Sequence, residues 1–466
     1  MRAQETSTFS TAVVAARIGV HRDTLLRWLR DGKIPEPARD RHGWRVFSEN
    51  EVRTLERFAQ SGTGMVAEES SVYLDPLQNL RAMDWDFVDA KTNYLTHGLH
   101  PYPAKFIPQI PNALIQELSS VGETVADIFC GSGTTLVEAL TLKRNAVGVD
   151  ANPLACLISA AKTALLQPQD VDLLRAIVAR AERSAEIAES GQGNLFQKVS
   201  IPKVNEPASD KRIQFWFEPF IIDELHMIKQ WCEQCPSDEA KTVALASFSA
   251  IIVAVSRQDS DTRYVRRSKQ LCPGDAFKRF SKTLDQAVRS VTEFTEIVEP
   301  RFNKRIYHAD ILSGPDIGPV DLVVCSPPYP NAYSYHLYHM TRMIWLGMDQ
   351  PAFKSAEIGS HRKYSKKKKG ATIDTFRGEM IRILSWLAKH LKNGRFACFV
   401  VGDSIINRQR YSNADLLVEV AQKSGYRTVG IIQRQMQDTK KAFNPAIGKI
   451  KQEQIVILQK VNGVTR

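Results

Sequence analysis

The chain has 466 residues, more than one ordinary hydrophobic core holds, so we expect about two or three domains. Its hydrophobic fraction of 43% is typical of a folded protein, and no run of about 18 uncharged apolar residues predicts a membrane span. The N-terminus lacks the apolar core of a secretion signal, and the 7 scattered cysteines favour reduced thiols in the cytoplasm over a disulfide framework. The formal net charge of +11 favours a polyanionic partner.

The N-terminal part of the chain predicts short helices followed by a strand. Ser10 or Thr11 precedes an apolar periodic run and is placed to cap a first helix, which Gly19 ends. A second helix follows directly, so the pattern is helix, turn, helix. Residues 43–47 predict a short wing strand, and Ser48 is placed to cap a third helix.

This order of elements resembles the MerR-type winged helix-turn-helix over nearly the whole segment. The resemblance implies that residues 1–62 form a DNA-binding domain, and the alternative is a helical bundle used for protein contacts. The candidates for groove and phosphate contacts are Arg22, Thr24, Arg27 and Arg45.

After a polar stretch, predicted as a linker over 63–90, the pattern changes to that of a nucleotide-binding sheet. A buried strand at 125–129 leads into the glycine-rich turn 130–135, and a helix and a second strand follow. That second strand ends in Asp150, whose carboxylate suits two ribose hydroxyls. A glycine-rich turn alone is as often a tight structural turn as a ligand site.

A second motif, Ser326-Pro327-Pro328-Tyr329, follows the apolar run 321–325, which predicts a buried strand. The carboxyl ends of such strands are where open α/β sheets place their sites. Two prolines fix the backbone and leave carbonyls as acceptors, while Tyr329 offers a flat face for an extruded base. A Pro-Pro turn can also be purely structural.

Together these segments resemble the amino-methyltransferases of DNA bases over about residues 95–460, interrupted by an insertion. The resemblance implies S-adenosyl-L-methionine as cofactor, a base flipped out of duplex DNA, and direct transfer to its exocyclic amine. It implies that Ser326, the Pro327 carbonyl, Pro328 and Tyr329 form the catalytic segment. Asp310 would accept from the adenine amino group of the cofactor, or act as an ordinary capping residue. The implied cofactor-binding residues are Lys105, Phe106, Asp127, Phe129, Gly131, Ser132, Gly133, Thr134, Thr135, Asp150 and Asp310.

The Ser-Pro-Pro form of the motif is associated in this family mainly with N4 of cytosine, so we favour this target over N6 of adenine. The glycine-rich motif precedes the Ser-Pro-Pro-Tyr motif, whereas many N4-cytosine enzymes have the reverse order. The Pro-Cys motif that carbon-5 methylation requires is not found. Alternatives are an RNA base methyltransferase, which the winged helix disfavours, and a DNA-binding regulator without activity.

The expected fold class is α/β: a Rossmann-like methyltransferase sheet over 91–165 and 306–466, with a mainly helical insertion at 166–305 that could recognise the target. No metal is expected. Restriction-modification, with a cognate nuclease as a possible partner in a bacterial cytosol, follows from the resemblance only, and the oligomeric state is left open. Further candidates for DNA contact, each equally explained by a solvated surface, are Arg257, Arg263, Arg266 and Lys367.

Overall fold

A computed structural model describes residues 8–20, 22–30, 34–39, 45–60, 76–88, 90–103, 105–190, 211–331, 333–365, 370–435 and 452–461. The chain divides into two compact units, Met1–Asp75 with Phe87–Lys91, and Pro76–Asp86 with Thr92–Arg466. None of the helices in these ranges is long and apolar enough to cross a membrane.

The N-terminal unit is a small helical domain with one strand pair. Its elements are β1 (Thr8–Ser10), α1 (Thr11–Arg17), α2 (Arg22–Arg30), β2 (Val46–Ser48) and α3 (Glu49–Gln60). Strand β1 pairs antiparallel with β2 and places Phe9 opposite Phe47. Phe47 joins Leu25, Trp28 and Val52 in a core shared by all three helices. The predicted wing strand is thus present, and its partner β1 was not predicted.

Two predicted caps of this unit are confirmed. The Ser10 side chain accepts from the backbone N–H of Val13 and begins α1. At the start of α3, the Ser48 hydroxyl accepts from the N–H of Glu51, and the Glu51 carboxylate accepts from the N–H of Ser48 at 2.7 Å. This reciprocal arrangement satisfies two backbone donors that the helix itself leaves without partners.

The larger unit contains the remaining helices and strands. The helices are α4 (Pro76–Ala82), α5 (Gln109–Leu118), α6 (Thr134–Thr141), α7 (Pro153–Lys162), α8 (Pro168–Glu189), α9 (Lys211–Trp216), α10 (Pro219–Glu233), α11 (Asp238–Ile252), α12 (Asp275–Ile297), α13 (Tyr335–Tyr338), α14 (Met340–Trp345), α15 (Gln350–Ala356), α16 (His361–Tyr364), α17 (Ile373–His390) and α18 (Asn413–Lys423). The strands are β3 (Thr124–Asp127), β4 (Asn145–Asp150), β5 (Gln258–Ser260), β6 (Arg263–Arg266), β7 (Lys304–His308), β8 (Val320–Cys325), β9 (Leu391–Gly402), β10 (Ser404–Ile406), β11 (Gln409–Tyr411), β12 (Tyr426–Gln435) and β13 (Gln452–Lys460).

The centre of this unit is a 7-stranded sheet in the order β12-β13-β9-β8-β3-β4-β7. Strands β9, β8, β3, β4 and β7 run parallel, and β13 is inserted antiparallel between β9 and β12. Side chains alternate between the two faces, so α17 and α18 cover one face while α5 and α6 pack against the other. The predicted doubly wound α/β fold is confirmed.

The stretch between β4 and β7 is mainly helical, as the sequence predicts, and helices α7 to α12 form a second core that also includes Met340 and Trp345 of α14. One part differs from the expectation. The basic segment after α11, predicted to contact DNA or to be a solvated surface, forms an antiparallel hairpin of β5 and β6. Its Tyr264 and Val265 favour extended backbone, and Tyr264 finds a packing partner in Trp216. Helix α4 likewise lies within the stretch predicted as a linker.

Candidate active site

The glycine-rich turn between β3 and α6 is held from inside the protein by Asp127 and Thr135. One Asp127 oxygen accepts from the N–H of Phe129 at 3.0 Å, and the other accepts from the Thr135 hydroxyl at 2.8 Å. Both residues are buried, at 1% and 0% exposure, and burial raises the pKa of Asp127 to about 7. Asp127 and Thr135, predicted to bind the cofactor, therefore lie beneath the turn and hold its shape.

Gly133 gives the turn its close packing on α7. Its φ is +77°, and a Cβ at this position would lie 2.9 Å from the Ser159 Oγ and 3.0 Å from the Ser159 Cα. A Cβ on Gly131 would meet Tyr102 at 3.5 Å and the Phe129 carbonyl oxygen at 3.8 Å, both ordinary contact distances. The turn is thus closed towards α7 and open on the side of Gly131 and Tyr102. Thr134 begins α6, and Phe129 is partly buried against the sheet core.

Asp150 links the end of β4 to this turn. Its two carboxyl oxygens accept from the N–H groups of Gly131 and Asn152, each at 2.8 Å. Burial raises the pKa of Asp150 to about 6. Each carboxylate oxygen has a further lone pair, so the group can accept from two hydroxyls in addition. Ser132 adds a buried hydroxyl that has no hydrogen-bond partner in the described part of the chain. A polar ligand bound on the open side of the turn fits these groups.

Asp310 lies at the same edge of the sheet. The parallel pairing of β4 with β7 sets Asp150 opposite His308, two residues before Asp310. The Asp310 Oδ1 accepts from the N–H of Leu312 at 2.9 Å and begins a short 3-10 helix. Asp310 is therefore a capping residue, the alternative interpretation of this position, and among the described residues no hydrogen bond reaches its second oxygen.

The segment upstream of α5 brings Lys105 and Phe106 into this unit. The Lys105 ammonium donates to the carbonyl of His97 at 2.9 Å. The side chain of Phe106 is half-buried. Tyr102 of the same segment reaches further, because it stands over Gly131 and its hydroxyl lies 3.3 Å from the Asn152 amide. Residues 100–106 were expected to close over the cofactor, with Lys105 and Phe106 as the contacts, and Tyr102 is a further site residue of that segment.

The Ser-Pro-Pro-Tyr segment follows β8, the strand beside β3, so it shares an edge with the glycine-rich turn. The Thr135 hydroxyl lies 3.2 Å from the Val324 carbonyl and connects the two motifs. The Tyr329 hydroxyl lies 3.5 Å from the Ser326 Oγ, 3.3 Å from the Val400 carbonyl and 3.4 Å from the Glu453 carboxylate. The two motifs predicted to act together are therefore neighbours.

Two residues that support this segment were not predicted from the sequence. A Cβ on Gly359 would lie 2.6 Å from the carbonyl oxygen of Tyr329 and 3.1 Å from that of Pro328. Only glycine permits this approach, and nothing in the local sequence marks it. Glu453, beside the Tyr329 hydroxyl, forms a buried ion pair with Arg434 at 2.6 Å.

An aromatic cluster lies between the cofactor-side turn and the catalytic segment. The ring of Tyr102 stacks on Tyr335 at 5.8 Å and on His339 at 5.0 Å. The Glu357 carboxylate holds this stretch by accepting from the N–H of Tyr335 at 2.5 Å. Burial holds the pKa of His339 well below its usual value, so its ring is neutral. These rings form an apolar wall next to both motifs.

The residues predicted to contact DNA lie in different surroundings. Thr24 is half-buried in α2, and Arg45 pairs with Glu36 at 2.7 Å. Arg257 is engaged by Glu218 at 2.6 Å. Arg263 and Arg266 are exposed on β6. The side chains of Arg22 and Arg27, and the whole of Lys367, lie outside the described residues. Within the described ranges, no group of three or more His, Cys, Asp or Glu side chains is arranged to hold a metal ion.

Comparison with known proteins finds family matches for two segments of the chain. Residues 37–161 match the DNA methylase family, whose model covers N6 and N4 amino-methyltransferases. Residues 9–60 match the MerR helix-turn-helix family of regulatory proteins. Both resemblances inferred from the motifs are confirmed over these segments, and the family match supports S-adenosyl-L-methionine as the cofactor.

Individual relatives are type II methyltransferases. M.MvaI of Kocuria varians is 34% identical over 173 residues, which are 36% of this chain and 36% of the relative. M.MjaII of Methanocaldococcus jannaschii is 22% identical over 375 residues, covering 61% of this chain and 69% of the relative. M.BsoBI of Geobacillus stearothermophilus is 22% identical over 296 residues, covering 56% and 54%. The chain thus spans about a third of the first relative and about half of the third.

Proposed function

We propose that the chain transfers a methyl group from S-adenosyl-L-methionine to the exocyclic amine of a base in duplex DNA, and that this base is cytosine. The observation that carries the proposal is the shared sheet edge of the glycine-rich turn and the Ser326–Tyr329 segment, connected through Thr135 and the Val324 carbonyl. The glycine-rich turn, as the cofactor site, and the hydrogen-bond acceptors of the Ser326–Tyr329 segment would then face the same space, in which the reaction takes place.

Residues on the open side of the turn would hold the cofactor. Asp150 would accept from the ribose hydroxyls, and the free oxygen of Asp310 would accept from the adenine amino group. The buried Ser132 hydroxyl and the surface beside Gly131 fit the methionine portion. Lys105 and Phe106 remain predicted contacts of that portion. When bound, the cofactor supplies an electrophilic methyl group on a sulfonium.

The residues of the catalytic segment prepare the amine. Its lone pair is delocalised into the base, so the amine is a poor nucleophile. The Ser326 Oγ and the Pro327 carbonyl are acceptors for its two hydrogens, and accepting both favours a tetrahedral nitrogen with a localised lone pair. Tyr329 is fixed through its hydroxyl, at the Val400 carbonyl and Glu453, so its ring is preorganised for a flipped base. The rate then depends chiefly on positioning.

Cys325 takes no part in this scheme. It lies at the end of β8 with 0% exposure, and burial raises the pKa of its thiol well above the usual value. A buried neutral thiol is a poor nucleophile. This supports an amino target over carbon 5 of cytosine, which requires a thiolate.

The choice of cytosine rests on the serine of the motif, and N6 of adenine is the alternative target. Duplex DNA as the partner is supported by the MerR-type segment and by the net charge of +11. We assign residues 1–62 to DNA binding, 91–165 and 306–466 to catalysis, and 166–305 to target recognition. A cognate restriction nuclease is a further possible partner, since the relatives are type II methyltransferases.

The test is to incubate the protein with plasmid DNA and labelled S-adenosyl-L-methionine and to identify the modified nucleoside by mass spectrometry. We expect N4-methylcytosine from the wild type and from Cys325→Ala. Ser326→Ala should lower the rate about 10- to 1000-fold, since a positioned acceptor is lost, with the cofactor affinity unchanged within about twofold. N6-methyladenine would overturn only the choice of base. The absence of a methylated DNA base, or 5-methylcytosine, would overturn the proposed function.

A further inference from the structure

The hairpin of β5 and β6, called the 258–266 ribbon below, presents a basic and apolar surface. Arg263 and Arg267 each form an ion pair with Asp259, and 43% and 74% of their side chains stay exposed. Val265 is 55% exposed, an unusual position for a β-branched apolar side chain. The guanidinium of Arg266 lies 4.5 Å from the ring centroid of Phe215, which is itself 49% exposed. Cationic and apolar groups are thus combined on one surface.

The alternation along β6 determines which side chains face outwards. Tyr264 packs towards the protein, with its ring 5.1 Å from Trp216 and its hydroxyl 3.1 Å from the Met340 sulfur. Because successive side chains of a strand point to opposite faces, Arg263 and Val265 face away from the protein. By the same alternation Arg266 lies on the side of Tyr264, where it is exposed beside Phe215, while Arg267 continues the outer side. The ribbon therefore has an inner side that fixes it and an exposed outer side formed by Arg263, Val265 and Arg267.

The inner side is fixed to the chain that follows the catalytic segment. The buried Gln258 donates to the Tyr338 carbonyl at 3.2 Å and accepts from the Thr341 hydroxyl at 3.0 Å. Asp261, at the tip of the ribbon, forms an ion pair with Arg342, whose side chain is fully buried. The ribbon is thus attached to residues 338–342. These residues belong to α13 and α14, the first helices after the Ser-Pro-Pro-Tyr motif.

The same helices carry part of the aromatic wall of the site. Tyr335 and His339 stack on Tyr102, which stands over Gly131 of the cofactor-side turn. A short series of packed contacts therefore joins the ribbon to the reaction space. A DNA duplex that touches the outer side of the ribbon is held at a fixed position relative to Ser326.

We propose that the 258–266 ribbon enters the major groove of DNA beside the target base and reads base edges through Arg263 and the adjoining Arg267. The inference rests on the proposed function. The major groove admits a two-stranded β-ribbon, arginine forms bidentate contacts with guanine, and an exposed apolar side chain such as Val265 suits the thymine methyl group.

The experiment compares the full-length wild type with Arg263→Ala/Arg267→Ala. The control is Arg175→Ala/Arg289→Ala, which removes the same charge from exposed positions on α8 and α12. Three quantities are measured: kcat/KM for methylation of genomic DNA, the set of methylated positions by modification-sensitive sequencing, and cofactor affinity by calorimetry. DNA binding is measured separately by fluorescence anisotropy.

We expect the ribbon variant to lose about 10- to 100-fold in kcat/KM and to methylate a broader set of sequences, with cofactor affinity unchanged within about twofold. The control should keep the wild-type rate and positions. Unchanged kcat/KM and positions in the ribbon variant would overturn the proposal. A uniform loss with the same positions would overturn base reading, because phosphate contacts alone act in this way.

The two proposals can fail separately. A wild type that binds DNA but methylates none overturns the proposed function. In that case anisotropy still tests the ribbon, and equal affinity of the wild type and the ribbon variant would overturn it as well.

Discussion

At the scale of single residues, two buried carboxyl groups of the glycine-rich turn have different tasks. Asp127 directs both oxygens inwards, to the N–H of Phe129 and the hydroxyl of Thr135, and supports the turn. Asp150 accepts from Gly131 and Asn152 but lies on the open side, next to Tyr102. Burial raises the pKa of both, to about 7 and about 6. Their protonation therefore changes close to neutral pH, where an exposed aspartate would be fully ionised.

The affinity for S-adenosyl-L-methionine should decrease as the pH falls through about 6, the value to which burial raises the pKa of Asp150. The ionised carboxylate is the stronger acceptor for ribose hydroxyls, so affinity is full above this pKa and weakens below it. Calorimetric titrations at pH 5, 6, 7 and 8 check this. Asp150→Asn should bind more weakly at pH 8 and show little change between pH 5 and 7.

Asp127→Asn is the matched control for this pH dependence. Its amide oxygen can accept from Phe129, and its amide nitrogen can donate to Thr135, whose hydroxyl still reaches the Val324 carbonyl. This variant should keep the wild-type dependence of binding near pH 6. A flat wild-type profile would contradict the assignment of Asp150 to the ribose.

At the scale of elements, the turn and α7 pack so closely that Gly133 faces the backbone of Ser159. The site therefore depends on helix packing as well as on the residues that touch a ligand. The same holds on the other side, where Gly359 lies against the carbonyls of Pro328 and Tyr329. Both motifs are shaped by glycines that allow a neighbouring element to come near.

Gly133→Ala should destabilise the larger unit by about 1–3 kcal/mol more than Gly347→Ala. Both glycines have positive φ, +77° and +67°, so both variants carry the cost of a left-handed conformation, but a Cβ at Gly347 meets nothing within 4 Å. The difference in free energy of unfolding, from urea denaturation of the full-length chain, isolates the clash with Ser159. Equal destabilisation would show that α7 moves aside without cost.

The features that sequence alone predicts are those fixed by local patterns. Periodicity and turn residues predicted the strands around Asp150 and Ser326, and capping preferences predicted Ser10 and Ser48. The missed features depend on contacts between distant parts of the chain. Gly359 against the Tyr329 carbonyl is one, and the ribbon held by Arg342 is another. No short stretch of sequence encodes such pairs, since each partner looks ordinary by itself.

At the scale of the whole molecule, the chain consists of two units and carries a formal net charge of +11. Part of the positive charge is used internally, as in the pairs of Arg45 with Glu36 and Arg257 with Glu218. Arg263 and Arg267 also form ion pairs, both with Asp259, but 43% and 74% of their side chains stay exposed. The two family matches follow one another with an overlap: the MerR-type match covers residues 9–60 and the DNA methylase match covers residues 37–161.

Affinity for duplex DNA should therefore fall steeply with salt. If about four phosphates are contacted, counterion release predicts a loss of about 100-fold between 50 and 200 mM salt. Anisotropy titrations over this range measure the slope. An RNA duplex of the same sequence should bind more weakly at each salt concentration, because its major groove is too narrow for a helix or a ribbon. Equal affinity for the two duplexes would favour an RNA substrate.

The stretch that carries the ribbon leaves the sheet after β4 and returns as β7, the strand directly beside it. Its two ends are tied together at the base: Lys304 donates to the Thr163 carbonyl at 2.7 Å, and Leu166 donates to the Thr295 hydroxyl at 3.1 Å. A segment whose two ends are held together in this way can be exchanged as a unit. An insertion of different length could replace it without altering the register of β4 and β7, since the entropy cost of closing a loop grows only slowly with its length. New DNA sequence preferences could then evolve, or be engineered, while the methyl-transfer chemistry stays in place.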